Sequence, residues 1–518
     1  MAVKSLGNER SARRQMAVNM LSGICVFTLN LCVSFFLTPF IVEKIGTDAY
    51  GYIGLSNNII GYSSLLTIAV NSMAGRFITV KVHEGESEDA NKYMSSIFYI
   101  NLLLSAIILL ALAVVTAFLP ELINIPEALV GDVQALFAML GVSSVLGLMT
   151  GVISVGAFIR NRLDITNIRN VVGSFIRVIL MLLLFGLFVP HLWYIGLTVI
   201  VMDVYIIGSN YYFYRLLTPE LHVKWKYFDF KYVKEVTAAG AWNLISRLSE
   251  MLSRGFDLLL ANLFINANAM GILSITQIIP MMILGFFSML SGNFAPEFTR
   301  LYAVKDFNGL KAELLRAVRV TGFFSCIPLS LLFAYGDMFF KLWLPTEDAV
   351  LLYRLSCLGS LGMIFAIPQE PLWAIFTITN KVKKSSINLF LNSIAIFATV
   401  LLLMLLCTDD ITKLLVLASV RTFYGSIRVT TFLPIYGAVC LGLSKWCFFP
   451  VIIKNAINIG VVTAASILFK IFFLDVSWIG ILAGCVFTTA IGIGVSTVVL
   501  LTHSDRKYLV TRIKDRIG

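Results

Sequence analysis

Apolar runs long enough to cross a bilayer recur along the whole chain, from residue 20 to residue 502. A membrane-spanning helix needs about 20 largely apolar residues, and we find fourteen such stretches. Their ranges are 20–42, 50–75, 94–118, 133–159, 170–190, 194–216, 237–264, 270–296, 318–336, 349–378, 386–406, 412–442, 456–474 and 478–502. Only 13% of the 518 residues are charged, against about 25% in soluble domains, so lipid must be the solvent. The sequence therefore predicts an all-α polytopic membrane protein with about 14 transmembrane helices.

The distribution of basic residues predicts the orientation of these spans. If the N-terminus is cytoplasmic, the segments on its side of the membrane hold 30 of the 40 Lys and Arg residues, and the outer segments hold Lys44 and Lys341 alone. Cytoplasmic loops of membrane proteins accumulate Lys and Arg. We therefore expect both termini in the cytoplasm, with a basic tail at 503–518, and an uncleaved first span. Because the basic residues lie in short clusters between spans, the net charge of +11 does not indicate a nucleic-acid partner.

Two segments that lie 220 residues apart resemble each other. IGTDAYGYIGLSNNIIGYSSLL, at 45–66, aligns with INANAMGILSITQIIPMMILGF, at 265–286, so that Gly51 falls on Gly271. Repeats in the same orientation are related by an axis along the membrane normal, and their interface is where transporters bind their substrates. The repeat predicts two six-helix lobes with pseudo-two-fold symmetry, 1–217 and 218–443, followed by two further helices and the basic tail in 444–518.

The seventh predicted span carries an unusual density of ionisable side chains. Asn243, Arg247, Glu250, Arg254 and Asp257 fall within roughly 80° of one another at about 100° per residue of helix. Lipid cannot satisfy such a face, so it must meet water or polar partners. One alternative is an internal salt-bridge ladder, because Arg247 and Glu250 are three residues apart, as are Arg254 and Asp257.

Other predicted spans contribute further polar residues, and prolines are expected to bend two of them. They include Asn30, Arg177, Asp203, Glu370, Arg421, Tyr424 and Arg428. Asp203 has the alternative of simply pairing with Arg177. We expect the tenth span to break or kink at Pro368 and Pro371, and the twelfth to bend near Pro434.

Arginine is the dominant ionisable residue inside the spans, and its planar fork matches phosphate oxygens. The arginines therefore predict a partly hydrated cavity that attracts a phosphate or diphosphate group and repels organic cations. We assign substrate binding to Arg177, Arg247, Arg254, Arg421 and Arg428, with Asn30 and Tyr424. We assign ion coupling or salt bridging to Glu250, Asp257 and Glu370.

Enzymatic and metal-binding motifs are absent from the sequence. It has no G-x-x-x-x-G-K-[ST] loop for ATP, no CxxC pair among its 8 cysteines and no two histidines at a metal-binding spacing. We expect no cofactor, no metal and no catalysis.

Two hairpins resemble those of a known transporter family. The segments LTPFIVEKIGTDAYGYIGLSNNIIGY, at 37–62, and RGFDLLLANLFINANAMGILSITQ, at 254–277, are similar to the helix 1–2 and helix 7–8 hairpins of the polysaccharide transporter branch of the multidrug/oligosaccharidyl-lipid/polysaccharide exporter (MOP) superfamily, which includes the Wzx-like flippases. Ala261 is a departure, since relatives often carry Gly there.

The resemblance implies a function and a location. It implies alternating-access export of an undecaprenyl-diphosphate-linked oligosaccharide, such as an O-antigen, capsule or exopolysaccharide repeat unit, across the bacterial inner membrane. A coupling cation, H⁺ or Na⁺, belongs to the same expectation, as does contact with membrane lipid. Relatives place cations in the central cavity, and Arg247 and Arg254 lie in the comparable helix.

Two other function classes stay open at this point. A multidrug or cation antiporter of the same superfamily would need an apolar or acidic cavity, which the excess of arginine disfavours. A membrane polymerase or ligase for the same glycans usually works through a large external loop, and the segments between the predicted spans are short.

Overall fold

A computed structural model describes residues 2–63, 65–160 and 162–501, without the side chains of residues 2–14, 16, 17, 20 and 66. These residues are overwhelmingly α-helical, and the described part contains no β-strand. The basic tail predicted at 503–518 lies outside the described residues. The all-α class that the sequence predicts is confirmed.

The chain divides into two compact units, Met1–Gly271 and Ile272–Gly518. The helices that begin in the first unit are α1 (Ala2–Ser63), α2 (Leu65–His83), α3 (Ser87–Ala117), α4 (Leu119–Leu122), α5 (Val130–Gly151), α6 (Val155–Ile159), α7 (Leu163–Leu187), α8 (Tyr194–Leu217), α9 (Phe230–Arg254), α10 (Asp257–Phe264) and α11 (Ala267–Thr276). Short 3₁₀ segments, Glu127–Leu129 and Trp225–Tyr227, lie between them.

The second unit contains the remaining helices. They are α12 (Ile278–Gly292), α13 (Ala295–Ala303), α14 (Phe307–Trp343), α15 (Ala349–Ser360), α16 (Met363–Ala366), α17 (Ala374–Ile378), α18 (Val382–Leu406), α19 (Asp410–Thr430), α20 (Phe432–Cys440), α21 (Phe449–Phe473) and α22 (Trp478–Val499). A 3₁₀ segment, Ile367–Trp373, joins α16 to α17.

Ten helical stretches in the described part are long and apolar enough to cross a membrane, and an eleventh results if the bent pair Ala349–Ser360 and Met363–Ile378 is one span. The predicted number of fourteen is not confirmed by this criterion. The stretch Leu21–Ser63 has 43 residues, about 65 Å of helix at 1.5 Å per residue, which is twice the bilayer core. It turns at Gly46, whose φ of 83° suits glycine, and so contains the first predicted span and part of the second. The seventh and twelfth predicted spans correspond to α9 and α19, which carry several ionisable residues.

Exposed apolar side chains support a membrane environment. Large hydrophobic residues are exposed on many helices, among them Leu110, Leu187, Phe472 and Ile479, at 70–80% of full exposure. Soluble monomers rarely expose this much large apolar surface. The protein is thus a multi-pass membrane protein.

Several helices extend beyond the apolar runs that predicted them. The ninth predicted span, 318–336, lies inside α14, which runs from Phe307 to Trp343. Asp306 caps the start of α14 by accepting a hydrogen bond from the Gly309 backbone N–H at 2.8 Å. Hydrophobicity reports only the stretch within lipid, whereas capping residues decide where a helix starts.

The helices of the first unit pack through small residues and a buried apolar core. Ile78 on α2, Ile97 on α3 and Val236 on α9 are fully buried. A Cβ on Gly240 would lie 2.0 Å from the Ala69 carbonyl oxygen, so the backbones of α9 and α2 are in direct contact. Small residues allow such close approach where lipid provides no hydrophobic drive between helices.

The second unit is built around α14, which packs on α21 and α22. A Cβ on Gly322 would lie 1.7 Å from the Asn455 amide oxygen, so this side chain fills the space at Gly322. Lys470 on α21 donates to both carboxylate oxygens of Asp337 on α14, at 2.5 and 2.6 Å. A paired charge of this kind is tolerated at membrane depth because each ion supplies the partner of the other.

Both predicted helix breaks are present, and both begin before the proline. The tenth span first breaks at Leu361 and Gly362, and the chain then forms the 3₁₀ segment that contains Pro368 and Pro371. The twelfth span is interrupted at Thr431, three residues before Pro434. Proline has no N–H for the carbonyl one turn earlier, and its ring clashes with that carbonyl. The interruption at Thr431 therefore falls just before Pro434, whereas the break at Leu361 and Gly362 lies more than one turn before Pro368 and is not a direct effect of that proline.

Candidate functional site

The polar face of α9 begins with an exposed ion pair. The Arg247 guanidinium donates to the Glu250 carboxylate at 2.8 Å, and the two side chains are 58% and 51% exposed. This contact confirms one rung of the predicted ladder. An exposed i,i+3 pair stabilises a helix by only about 0.2–1 kcal/mol. The Arg247 guanidinium and the Glu250 carboxylate are therefore held together only weakly.

The seventh predicted span is not one continuous helix. Gly255 and Phe256 separate α9 from α10, which places Arg254 at the end of one helix and Asp257 at the start of the next. The prediction of a single helix over 237–264 was wrong at this point. Asp257 is buried and Arg254 is half-buried.

Two residues of the second predicted span hold this interruption. The Gly255 carbonyl accepts hydrogen bonds from the Tyr62 hydroxyl at 2.5 Å and from the Asn58 side-chain amide at 3.3 Å. The Tyr62 ring stacks on Phe256 at 5.2 Å. In many secondary transporters, polar sites lie at broken helices, because the free backbone groups there can line a cavity. Tyr62 could not be predicted as a site residue, since a tyrosine in an apolar span is normally a packing residue.

Arg177 on α7 lines a cavity of about 210 Å³ in the first unit, together with Asn57, Ser143 and Ser144. Its Nε is buried without a hydrogen-bond partner. The alternative of a direct pair with Asp203 is not observed in the described part of the chain, where the Asp203 carboxylate accepts a hydrogen bond from Ser143. The guanidinium thus faces a polar cavity without a carboxylate bound to it.

Asn30 lies on α1, which packs against α7, the helix that carries Arg177. Its side-chain oxygen accepts a hydrogen bond from Ser174 on α7 at 3.4 Å, and the asparagine is exposed. This long contact leaves Asn30 free to change partners.

In the second unit, Arg428 on α19 has two specific neighbours. Its guanidinium carbon lies 4.5 Å from the centre of the Trp373 ring, and its Nε donates to the Asn388 amide oxygen at 3.1 Å. Cation–π stacking and one hydrogen bond therefore orient the guanidinium plane. Within the described residues no carboxylate pairs with it. Sequence reasoning missed Trp373 and Asn388, because both are distant from Arg428 along the chain.

The other candidates of the second unit lie on α19 and the 3₁₀ segment. The Tyr424 hydroxyl is 3.0 Å from the Thr399 hydroxyl, and Arg421 is half-buried one turn earlier on the helix. Glu370 accepts a hydrogen bond from the Ser288 hydroxyl at 3.2 Å. These contacts orient the side chains. The role of these residues in substrate binding stays a prediction.

The predicted residues are divided between the two units. Arg177, Arg247, Glu250, Arg254, Asp257 and Asn30 belong to the first unit, and Glu370, Arg421, Tyr424 and Arg428 belong to the second. Across the described ranges, no group of three or more His, Cys, Asp or Glu residues has the arrangement of a metal site.

Comparison with known proteins identifies relatives by sequence. The family described as "Polysaccharide biosynthesis protein" matches residues 13–302. An uncharacterized membrane protein, EpsK of Bacillus subtilis (strain 168), is 31% identical over 373 residues, which are 72% of this chain and 74% of that protein.

Solved structures with low sequence identity share the fold. An inward-facing multidrug resistance MATE family transporter of the MOP superfamily has a TM-score of 0.65 at 14% identity, covering 83% of this chain and 99% of that one. The lipid II flippase MurJ, in an inward closed conformation, has a TM-score of 0.62 at 14% identity, covering 93% and 98%. The chain therefore belongs to the polysaccharide biosynthesis protein family and has the fold of the MOP superfamily.

Proposed function

We propose that this protein is a flippase that moves an undecaprenyl-diphosphate-linked oligosaccharide across the bacterial inner membrane by alternating access. The observation that carries the proposal is that two arginines form no ion pair among the described residues. Arg177 lies on α7, which is long and apolar enough to cross a membrane, and Arg428 lies on α19; within the described residues neither arginine forms an ion pair. The family match supports a role in polysaccharide synthesis or export.

An unpaired arginine in a spanning helix is costly for the folded protein. Insertion scales give about 2.5–3.5 kcal/mol for Arg at the centre of a spanning helix. A diphosphate that leaves water also loses several kcal/mol per ion, and each hydrogen bond to a charged group returns roughly 1.5–3 kcal/mol. An arginine that binds the diphosphate would therefore offset part of both costs at once.

We assign roles to the candidate residues on this basis. Arg177, Arg247, Arg254, Arg421 and Arg428 bind the diphosphate, and Asn30 and Tyr424 bind neighbouring polar groups. Glu250, Asp257 and Glu370 are the candidates for coupling to H⁺ or Na⁺. Both termini are expected in the cytoplasm, so the substrate enters from the side that carries most of the basic residues.

The principal rival is a multidrug antiporter, since proteins of similar fold are described as multidrug transporters. A cation carrier would not retain unpaired arginines in its cavity, because they would repel its substrate. The two functions therefore differ in the charge of the substrate: a flippase would bind an anion, and the antiporter would bind a cation.

A flipping assay in proteoliposomes tests the proposal. The probe is a fluorescent polyprenyl-diphosphate-linked oligosaccharide, and its transfer between leaflets is measured by quenching from outside. We expect wild-type protein to flip the probe, Arg177→Gln to flip it much more slowly, and Arg354→Gln to behave as wild type. Arg354 is a matched control because it is an exposed arginine on α15. Transport of a lipophilic cation without transport of the diphosphate probe would support the antiporter instead.

A further inference from the structure

The connecting segment between α8 and α9, residues 218–229, is attached to the beginning of α3. Three backbone N–H groups of the segment donate to buried side chains of α3, at 2.6, 3.1 and 2.9 Å; the donors are His222, Lys224 and Asp229, and the acceptors are Asn91, Ser95 and Ser96. Asp229 also caps α9 by accepting a hydrogen bond from the Lys231 backbone N–H at 2.8 Å. Connecting segments are normally more mobile than the helices they join, whereas these bonds give this one a fixed position.

The length of α3 indicates the depth at which the connecting segment lies. The helix has 31 residues, about 46 Å at 1.5 Å per residue, against about 30 Å for the hydrocarbon core, so about ten residues lie outside that core. The beginning of α3, SEDANKYMSS, is mostly polar, whereas its end, ALAVVTA, is apolar. The polar beginning is therefore the part that leaves the core. The connecting segment is attached to this part, at the level of the lipid headgroups.

The connecting segment carries aromatic rings that suit this depth. The Trp225 ring stacks on Phe228 at 5.1 Å between ring centres, and the Tyr99 ring of α3 meets Trp225 edge-on at 4.8 Å. Trp225 is 67% exposed, and Phe230 at the start of α9 is 63% exposed. Tryptophan and tyrosine are enriched at the boundary between membrane and water, because their rings are apolar and carry one polar group.

The lysines around these rings keep their charge. The stretch 222–234 reads HVKWKYFDFKYVK, with four lysines and one aspartate. All four lysines are exposed, and within the described residues none of them forms an ion pair; they are Lys224, Lys226, Lys231 and Lys234. The Lys226 Nζ lies 4.7 Å from the centre of the Tyr227 ring. An aromatic ring orients a cation without cancelling its charge, whereas a carboxylate would cancel it.

The carboxylates that lie beside this stretch have other partners. The Glu235 carboxylate accepts a hydrogen bond from the Tyr93 hydroxyl at 2.8 Å. The Asp89 carboxylate accepts one from the Lys92 ammonium at 3.1 Å and one from the Tyr232 hydroxyl at 3.2 Å. These acids are therefore directed away from the four lysines, and the surface stays positively charged.

We propose that the stretch 222–234 is a binding surface for the headgroups of anionic phospholipids. The lysines contact the phosphates, and the rings of Trp225 and Phe230 lie between the headgroups. An anionic membrane surface attracts each nearby lysine with about a 5-fold gain in affinity. Lysine is a compact charge that requires no planar partner, so the surface selects lipids by charge more than by headgroup shape. The proposal does not depend on what the protein transports.

Quenching of tryptophan fluorescence tests the proposal in the intact protein. The protein is reconstituted into phosphatidylcholine vesicles that contain an equal, minor share of brominated phosphatidylglycerol or of brominated phosphatidylcholine. The chain has 7 tryptophans, and the signal of Trp225 is the difference between the protein and its Trp225→Phe variant. We expect brominated phosphatidylglycerol to quench Trp225 more strongly, and high salt to weaken this preference. Equal quenching of Trp225 by the two brominated lipids would overturn the proposal.

Lysine variants test whether this particular surface causes the preference. Each single change to Gln among the four lysines should lower the preference by up to about 5-fold, and changing all four should abolish it. The matched control changes four exposed lysines of the second unit to Gln, with the same loss of net charge; they are Lys305, Lys383, Lys384 and Lys445. An equal loss in the control would overturn the proposal, because net charge alone would then attract the lipid. Absence of quenching by either lipid would also overturn it and would indicate an acidic protein partner instead.

Discussion

Arg428 offers the sharpest test of how the protein would hold a diphosphate. Its guanidinium lies over Trp373 at 4.5 Å and uses Nε to bind Asn388 at 3.1 Å. Both contacts leave the two terminal nitrogens on the opposite edge of the fork. Two parallel N–H groups are the arrangement that binds two phosphate oxygens at once.

The expected losses follow from these contacts. Arg428→Gln removes the charge and at least one charged hydrogen bond of roughly 1.5–3 kcal/mol, which weakens binding about 13- to 160-fold. Arg428→Lys keeps the charge and loses the stacked fork. The cation–π term is about 0.5–2 kcal/mol, so binding should weaken only about 2- to 30-fold. Trp373→Leu should resemble the Lys variant, because it removes the ring and leaves the charge.

The assay is direct binding of a short-chain polyprenyl diphosphate to the purified protein, followed by quenching of a fluorescent headgroup. Arg354→Gln is the control for loss of one exposed arginine, and melting temperature reports whether each variant is folded. Wild-type affinity in a folded Arg428→Gln variant would refute the assignment of Arg428 to the substrate. Equal losses in the Gln and Lys variants would show that the fork, and not the charge, dominates.

Three further predictions concern other parts of the chain. Flipping should fall in the order Arg, Lys, Gln, Ala at Arg254; recovery of transport by Arg254→Ala with Asp257→Ala would show that the arginine only neutralises the aspartate. Reporter fusions after residue 125 and at the C-terminus should report opposite sides of the membrane, and the same side from both would contradict the proposed topology. Gly322→Ala should lower stability by about 1–3 kcal/mol, because its Cβ would overlap the Asn455 amide oxygen; an unchanged melting temperature would show that Asn455 moves freely.

The helices could be predicted from the sequence where a single local property, such as apolar length or a proline, determines where they lie. Apolar length identified most spans, and Pro368 and Pro434 predicted breaks that are present. The break in the seventh span was not predictable in the same way. Gly255 alone does not interrupt a helix; the carbonyl there is held by Tyr62 and Asn58, nearly two hundred residues earlier. A break stabilised by such distant side chains leaves no local pattern.

In the candidate site, too, local features could be predicted from the sequence and distant contacts could not. Ionisable residues in apolar runs are conspicuous, so the arginines could be named from the sequence. Their partners could not, because spacing along one helix proposes only neighbours on that helix. It correctly paired Arg247 with Glu250. Opposite charge in neighbouring spans suggested Asp203 for Arg177, whereas the Asp203 carboxylate accepts a hydrogen bond from Ser143.

The internal repeat is the case in which a weak sequence signal has a direct structural consequence. When equivalent residues meet near a two-fold axis, each must be compatible with its own counterpart. Gly51 and Gly271 meet this condition, because a Cβ on Gly51 would lie 2.8 Å from the Gly271 backbone nitrogen and glycine has no side chain to clash there. Aspartate does not, since two facing carboxylates repel. The second repeat carries Asn268 opposite Asp48, which turns a repulsive pair into a donor and an acceptor. Asn268→Asp should therefore weaken the contact more strongly than Asn268→Ala and lower the melting temperature of the purified protein further; a smaller loss in the Asp variant would show that the carboxylates do not face each other.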